Sequence, residues 1–224
     1  MPSPSLVRLL ASREAKTLVE MGERLHARNL LAGCDGNLSC RLASGHILIT
    51  PTQLSKIFLR PANLVILSPE GIPLQGTPSS EVRLHLQVYS RSPEARAVFH
   101  AHPPAAVAWT LTHPTATELP GNLLPESILA CGTIPVAPYA RPGTPELAAS
   151  IAPFLPSHRV ILLARHGALC WGHSPEEAFY GMERVEHIAT ILRYAAAFGD
   201  APPLSEEEVA ALWECRKWIG EKTL

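Results

Sequence analysis

The sequence predicts an α/β protein in which helices cover a central sheet, and three observations lead there. Stretches with apolar residues at helical spacing alternate along the chain with short β-branched apolar runs. Hydrophobic residues make up 46% of the 224 and charged ones 17%, which suits one packed core and excludes a disordered chain. The 22 prolines fall mainly at the boundaries between those stretches, where they punctuate turns.

Residues 6–30 read as an opening helix that closes near Gly33. Short strands follow at 38–42, 46–50 and 64–68, separated by Gly and Pro turn signals. Ser79-Ser80-Glu81 then opens a helix whose Val82, Leu86 and Tyr89 recur at helical spacing. Residues 97–102 form a strand stopped by Pro103-Pro104, and 133–137 form another. Thr144 caps a helix with Pro145 at its first position. The apolar run 159–165 is a buried strand leading to His166-Gly167, and Gly167 permits a tight turn. Ser174-Pro-Glu-Glu is a capping box for a long helix to about residue 198, and Ser205-Glu-Glu-Glu starts the last helix. With no internal repeat and no low-complexity linker, residues 1–224 are expected to form one domain.

Charge narrows the partners. The formal net charge is −1 and no Lys/Arg run forms a basic patch, so nucleic acid is not an expected partner. An anionic ligand must be held by local groups instead. There is no charged leader with an apolar run behind it and no stretch long enough to span a bilayer, so a cytoplasmic protein without membrane contact is expected. The five cysteines, Cys34, Cys40, Cys131, Cys170 and Cys215, are odd in number and lack a Cys-x-x-Cys pair. That argues against both a disulfide framework and a thiolate zinc site, and they read mostly as small buried hydrophobes.

His100 and His102 stand two apart on a strand, so both project from one face. Imidazole suits zinc and related divalent ions, and His166 at the end of a second strand is the third candidate. Three histidines leave a coordination position open for chemistry, although a His-x-His pair alone also occurs as two surface histidines. His26, His46, His85, His113, His158, His173 and His187 lack such an arrangement and read as structural or solvent-facing. Glu81 is the fourth candidate at its helix start; its alternative role is to stabilise the first turn. Asn37 in Gly36-Asn37-Leu38-Ser39, Thr52 in Thr50-Pro51-Thr52, and Ser79 and Ser80 offer amide and hydroxyl donors to a phosphate. Such clusters also serve simply as turns.

The order of these motifs along the chain resembles the class II aldolase/adducin family. The likeness runs from the opening helix at least to the helix after Ser174. It implies a three-layer α/β/α fold around a mainly antiparallel or mixed sheet, and a homotetramer with the active site at a subunit interface. It also implies zinc on His100, His102 and His166, with Glu81 a fourth ligand at rest and a base once substrate displaces it. Asn37, Thr52, Ser79 and Ser80 would then hold the phosphate. The implied activity is aldol cleavage of a small ketose 1-phosphate to dihydroxyacetone phosphate and an aldehyde. Alternatives within the family are methylthioribulose-1-phosphate dehydration, sugar-acid phosphate decarboxylation, or a non-catalytic adducin-like interaction module.

The chain departs from the family in three places. Gln53 stands where a glycine often follows the Thr-Pro-Thr turn, and Leu124 and Ile219 stand near positions where sugar-phosphate aldolases carry tyrosines. Glu126 in the same loop as Leu124 is a candidate second catalytic acid, or else a solvated loop carboxylate.

Overall fold

The computed structural model describes residues 4–219. Helices α1 (Pro4–Leu10) and α2 (Arg13–Ala27) precede strands β1 (Asn37–Arg41), β2 (Ile47–Ile49), β3 (Val65–Leu67) and β4 (Pro73–Gln75). Helix α3 (Val82–Arg91), strand β5 (Ala97–Ala101), helix α4 (Pro104–Thr112), strands β6 (Glu118–Leu119) and β7 (Ile134–Ala137) and helix α5 (Pro145–Ile151) follow. Strands β8 (Val160–Leu163) and β9 (Gly167–Gly172) and helices α6 (Pro175–Phe198) and α7 (Glu206–Ile219) complete the described residues. The strands lie in the order β4-β3-β2-β1-β5-β9-β8-β7-β6. Every neighbouring pair is antiparallel except β7 and β8.

Alternation along each strand sorts side chains to the two faces. From β5, Ala97, Phe99 and Ala101 join Leu18 and Leu25 of α2, Ala105 and Ala106 of α4 and Phe179, Met182 and Val185 of α6. Val98 faces the opposite way, with Leu84 and Val88 of α3 and Leu147 and Ile151 of α5. The result is the expected three-layer α/β/α arrangement with a mainly antiparallel sheet. His100, two residues past Val98, lies on the α3 face, and so do Asn37 and Ser39 of β1.

Four local features differ from the sequence reading. The opening helix breaks at Ser12, whose hydroxyl accepts from the Ala15 amide at 3.1 Å and caps α2. Pro103-Pro104 ends β5 and at once starts α4, because proline at a first helical position loses no internal hydrogen bond. Residues 167–172 form β9, wholly buried and paired with both β5 and β8. Only three of the five cysteines are buried, Cys34 and Cys215 being exposed. No helix among the described residues is long and apolar enough to cross a membrane.

Candidate metal centre

β5 places two histidines at its end, and its neighbours bring the rest. Asn37 of β1 lies directly opposite His100, and Ala168 of β9 lies opposite Ala101. The β8–β9 turn therefore reaches the same end of the sheet and carries His166. Arg165, at φ +60°, provides the tight bend, and Thr110 Oγ1 accepts from its amide at 3.0 Å. The turn was expected of Gly167, which does something else. A Cβ at Gly167 would stand 2.4 Å from the Ala101 carbonyl oxygen, 2.8 Å from the His102 ring and 3.0 Å from the His100 ring. Its missing side chain is the space the imidazoles occupy.

The centroids of the His100, His102 and His166 rings lie 4.7–5.0 Å apart, and one ligand atom from each falls within 4.8 Å of the others. Glu81 comes from the opposite side, at the start of α3. Its Oε2 is 3.2 Å from His100 Nε2 and its Oε1 is 3.5 Å from His166 Nε2. His100 Nδ1 donates to the Ala168 carbonyl at 2.9 Å, which leaves Nε2 to face Glu81. His102 Nε2 lies 3.2 Å from His100 Nε2. Glu81 Oε1 has no hydrogen-bond partner of its own. Ligand atoms from four side chains thus converge while Glu81 Oε1 and His166 Nδ1 keep no hydrogen-bond partner, an arrangement a cation stabilises. Three imidazoles and a carboxylate are a donor set that fits zinc. Behind His102, Asp35 Oδ2 lies 3.5 Å from Nδ1, where a carboxylate orients a ligating ring.

Burial, then the charge of His100, lowers both His166, to about 4, and His102. For Glu81 burial works upward, but hydrogen bonds from His100 and Asn37 and the charges of His100 and His166 outweigh it and hold the carboxyl well below its usual range. Near neutral pH the His102 and His166 rings are free bases and the Glu81 carboxylate is ionised, the states in which they bind metal.

The anion-binding candidates flank this cluster. Pro51 bridges Pro78, the Ser79 amide donates to the Thr50 carbonyl at 3.2 Å, and the Thr52 amide donates to the Thr77 carbonyl at 3.3 Å. Those contacts bring Thr52, Ser79 and Ser80 to one cavity of about 300 Å³, together with Asn37, Glu81, His102 and His166. No Lys or Arg lines it. Thr52 and Ser80 are exposed, while Ser79 is buried and its hydroxyl accepts from the Glu81 amide at 3.3 Å. Asn37 uses one amide hydrogen on Glu81 Oε2 at 2.9 Å and keeps the other. Gln53 sits at φ +57°, so the chain keeps a glycine-like bend without glycine, at a cost of about 1 kcal/mol.

Glu126 does not join them. It is exposed at the head of the Ser127–Cys131 turn and does not line the cavity of its own chain. Leu124 packs against the core, and Ile219 lies exposed on α7. Conversely, the sequence reading missed Cys34 and Asp35 on the cavity wall, Lys56 beneath it and His85 behind it. Lys56 is buried and donates to the Cys34 carbonyl at 2.7 Å; burial lowers it to about 8. His85, read as structural or solvent-facing, is fully buried and touches Asn37. Its position four residues after Glu81 on one helix face was the available signal.

Residues 16–192 match the Class II Aldolase and Adducin N-terminal domain. The chain belongs to the class II aldolase/adducin family. Within that family it is 34% identical over 183 residues to a 3-oxo-tetronate 4-phosphate decarboxylase of Cupriavidus necator, covering 80% of this chain and 83% of that one. It is 32% identical over 213 residues to the L-fuculose phosphate aldolase of Escherichia coli K12, covering 92% and 95%. The solved structure of YgbL from Escherichia coli superimposes with a TM-score of 0.82 at 30% identity, covering 89% of this class II aldolase-family chain and 97% of YgbL. Both curated relatives are named for enzymes acting on phosphorylated sugars or sugar acids.

Proposed function

We propose that this family member is a zinc-dependent lyase that cleaves a small ketose 1-phosphate to dihydroxyacetone phosphate and an aldehyde. The observation that carries the reading is the convergence of His100, His102, His166 and Glu81, with Glu81 Oε1 left without a hydrogen-bond partner. Zinc bound there supplies a Lewis acid that polarises the substrate carbonyl and stabilises the negative charge left when the carbon–carbon bond breaks. Asn37, Thr52, Ser79 and Ser80 hold the phosphate, each hydrogen bond to the anion contributing about 1.5–3 kcal/mol. Glu81 Oε1, unpartnered at the cavity wall, takes the hydroxyl proton as the aldehyde departs. A proton then returns to the carbon that keeps the electron pair.

A second reading is supported by the 34% identity to the 3-oxo-tetronate 4-phosphate decarboxylase. Loss of carbon dioxide needs no base at a hydroxyl, and the candidate second acid Glu126 is absent from the cavity. Chemically, both reactions leave the same dihydroxyacetone phosphate. For Glu126 we keep a role only from across a subunit interface of the homotetramer that the family likeness suggests, in a cytoplasmic protein.

Purified protein carrying about one zinc per chain should release dihydroxyacetone phosphate from a ketose 1-phosphate panel or from 3-oxo-tetronate 4-phosphate. Carbon dioxide evolution separates the two reactions. Metal-free protein as isolated, with no zinc uptake, would point to the adducin-like interaction module instead.

A further inference from the structure

Behind Glu81 runs a chain of buried hydrogen bonds that ends at the carboxylate. Tyr89 Oη lies 2.8 Å from Ser39 Oγ, and Ser39 Oγ lies 2.6 Å from His85 Nδ1. His85 Nε2 lies 2.6 Å from Asn37 Oδ1, and Asn37 Nδ2 lies 2.9 Å from Glu81 Oε2. Ser39 and His85 are wholly buried, Asn37 is 2% exposed and Tyr89 6%, so water does not replace a missing partner. Two elements build the chain. Asn37 and Ser39 alternate onto one face of β1, while Glu81, His85 and Tyr89 recur every four residues at the start and along one face of α3.

The far end of the chain dictates its polarity. An ionised carboxylate only accepts, so the Asn37 amide turns its nitrogen to Glu81 and its oxygen to His85. His85 must then donate from Nε2 and accept at Nδ1, which makes it neutral and fixes its tautomer. Ser39 donates to Nδ1, and Tyr89 donates to Ser39. Every atom is satisfied in this one direction. The opposite amide orientation would set the Asn37 oxygen against the Glu81 carboxylate. A carboxamide does not relay protons, so Asn37 also interrupts any proton path between His85 and Glu81.

We infer that His85 is a positioning residue: acting through Asn37, it fixes the Glu81 carboxylate in the acceptor-only orientation that faces His100 and His166. The inference rests on the proposed reading of that cluster as a zinc site. It also gives Asn37 a duty beyond the phosphate.

The test measures zinc affinity by chelator competition, and the pH at which zinc is released, in wild-type protein and four variants. His85→Phe removes both ring hydrogen bonds, and Ser39→Ala, a smaller change, removes the donor that anchors the far side of the His85 ring at Nδ1. Each should weaken zinc by about 10- to 100-fold, as loss of an outer partner of a metal ligand does, and shift zinc release to higher pH. Asn37→Ala should do the same, and the double variant His85→Phe/Asn37→Ala should be no worse than Asn37→Ala alone, because His85 acts through Asn37. If His85→Phe fails to fold, Ser39→Ala decides. Variants that melt earlier yet bind and release zinc like the wild type, or a double variant with additive losses, overturn the inference. Wild-type protein that takes up no zinc overturns the reading of the site itself.

Discussion

Gly167 shows how much one absent side chain decides. Its Cβ would strike the Ala101 carbonyl and both strand histidines, so Gly167→Ala must push the rings of His100 and His102 off the convergence point. We expect that variant to keep the fold yet bind zinc at least about tenfold more weakly, as measured by chelator competition. His100→Ala removes a proposed ligand outright and should leave less than stoichiometric zinc by elemental analysis, with turnover abolished. An unchanged zinc content in His100→Ala would show that the cluster is not the metal site. At this scale the sequence was informative where spacing reports geometry. His100-x-His102 shares a face by strand periodicity, and Glu81 announces itself at a helix start. His85 and Asp35 escaped because their significance depends on partners such as Asn37 and His102, brought close by sheet pairing and chain reversal.

Among the elements, α6 has the plainest sequence signature. Ser174 Oγ accepts from the Glu177 amide at 3.2 Å, and the Glu177 carboxylate returns to the His173 amide at 2.8 Å. Ser174→Ala should therefore cost about 1 kcal/mol, a fall in melting temperature of about 2–4 °C. Since α6 backs β5 and β9 from the face away from the histidines, zinc affinity should hold in that variant. Strand β9 carried no comparable signature. Gly167-Ala-Leu-Cys-Trp-Gly is buried on both faces, so no polar alternation marks it, and a glycine at each end resembles loop punctuation. Yet β9 joins the two halves of the sheet and sets the His166 turn beside β5. The break at Ser12 and the start of α4 at Pro104 were missed for a related reason. Serine and proline both stop and start helices, and only the neighbouring packing decides which.

For the molecule as a whole, the buried histidines couple stability to pH. His85 and His166 are lowered to about 3 and about 4, in each case by burial first and the charge of His100 second. The unfolded chain binds protons on the same rings near pH 6.5, so between that pH and the folded values it holds more protons than the native state. The stability these groups contribute is complete above about pH 6.5 and is lost as pH falls through the window toward 3. The depressed Glu81 carboxyl acts in the same direction at the acid end. Melting of zinc-free protein should thus drop steeply between pH 7 and 4, and added zinc should move the drop to lower pH by competing with protons. A flat profile over that range would contradict the buried, neutral state of these rings.

The cavity wall has one more consequence. It carries the carboxylates of Asp35 and Glu81, with the Lys56 ammonium group beneath, so a cation in the proposed metal site would offset negative charge that opposes the proposed phosphate. On the proposed reading the ion should bind first and the phosphorylated molecule second. Thermodynamic reciprocity makes the first guest harder to dislodge once the second is seated. In a chelator challenge, a bound phosphorylated inhibitor should slow the escape of the ion, and inorganic phosphate should bind the stripped protein far more weakly than the loaded one.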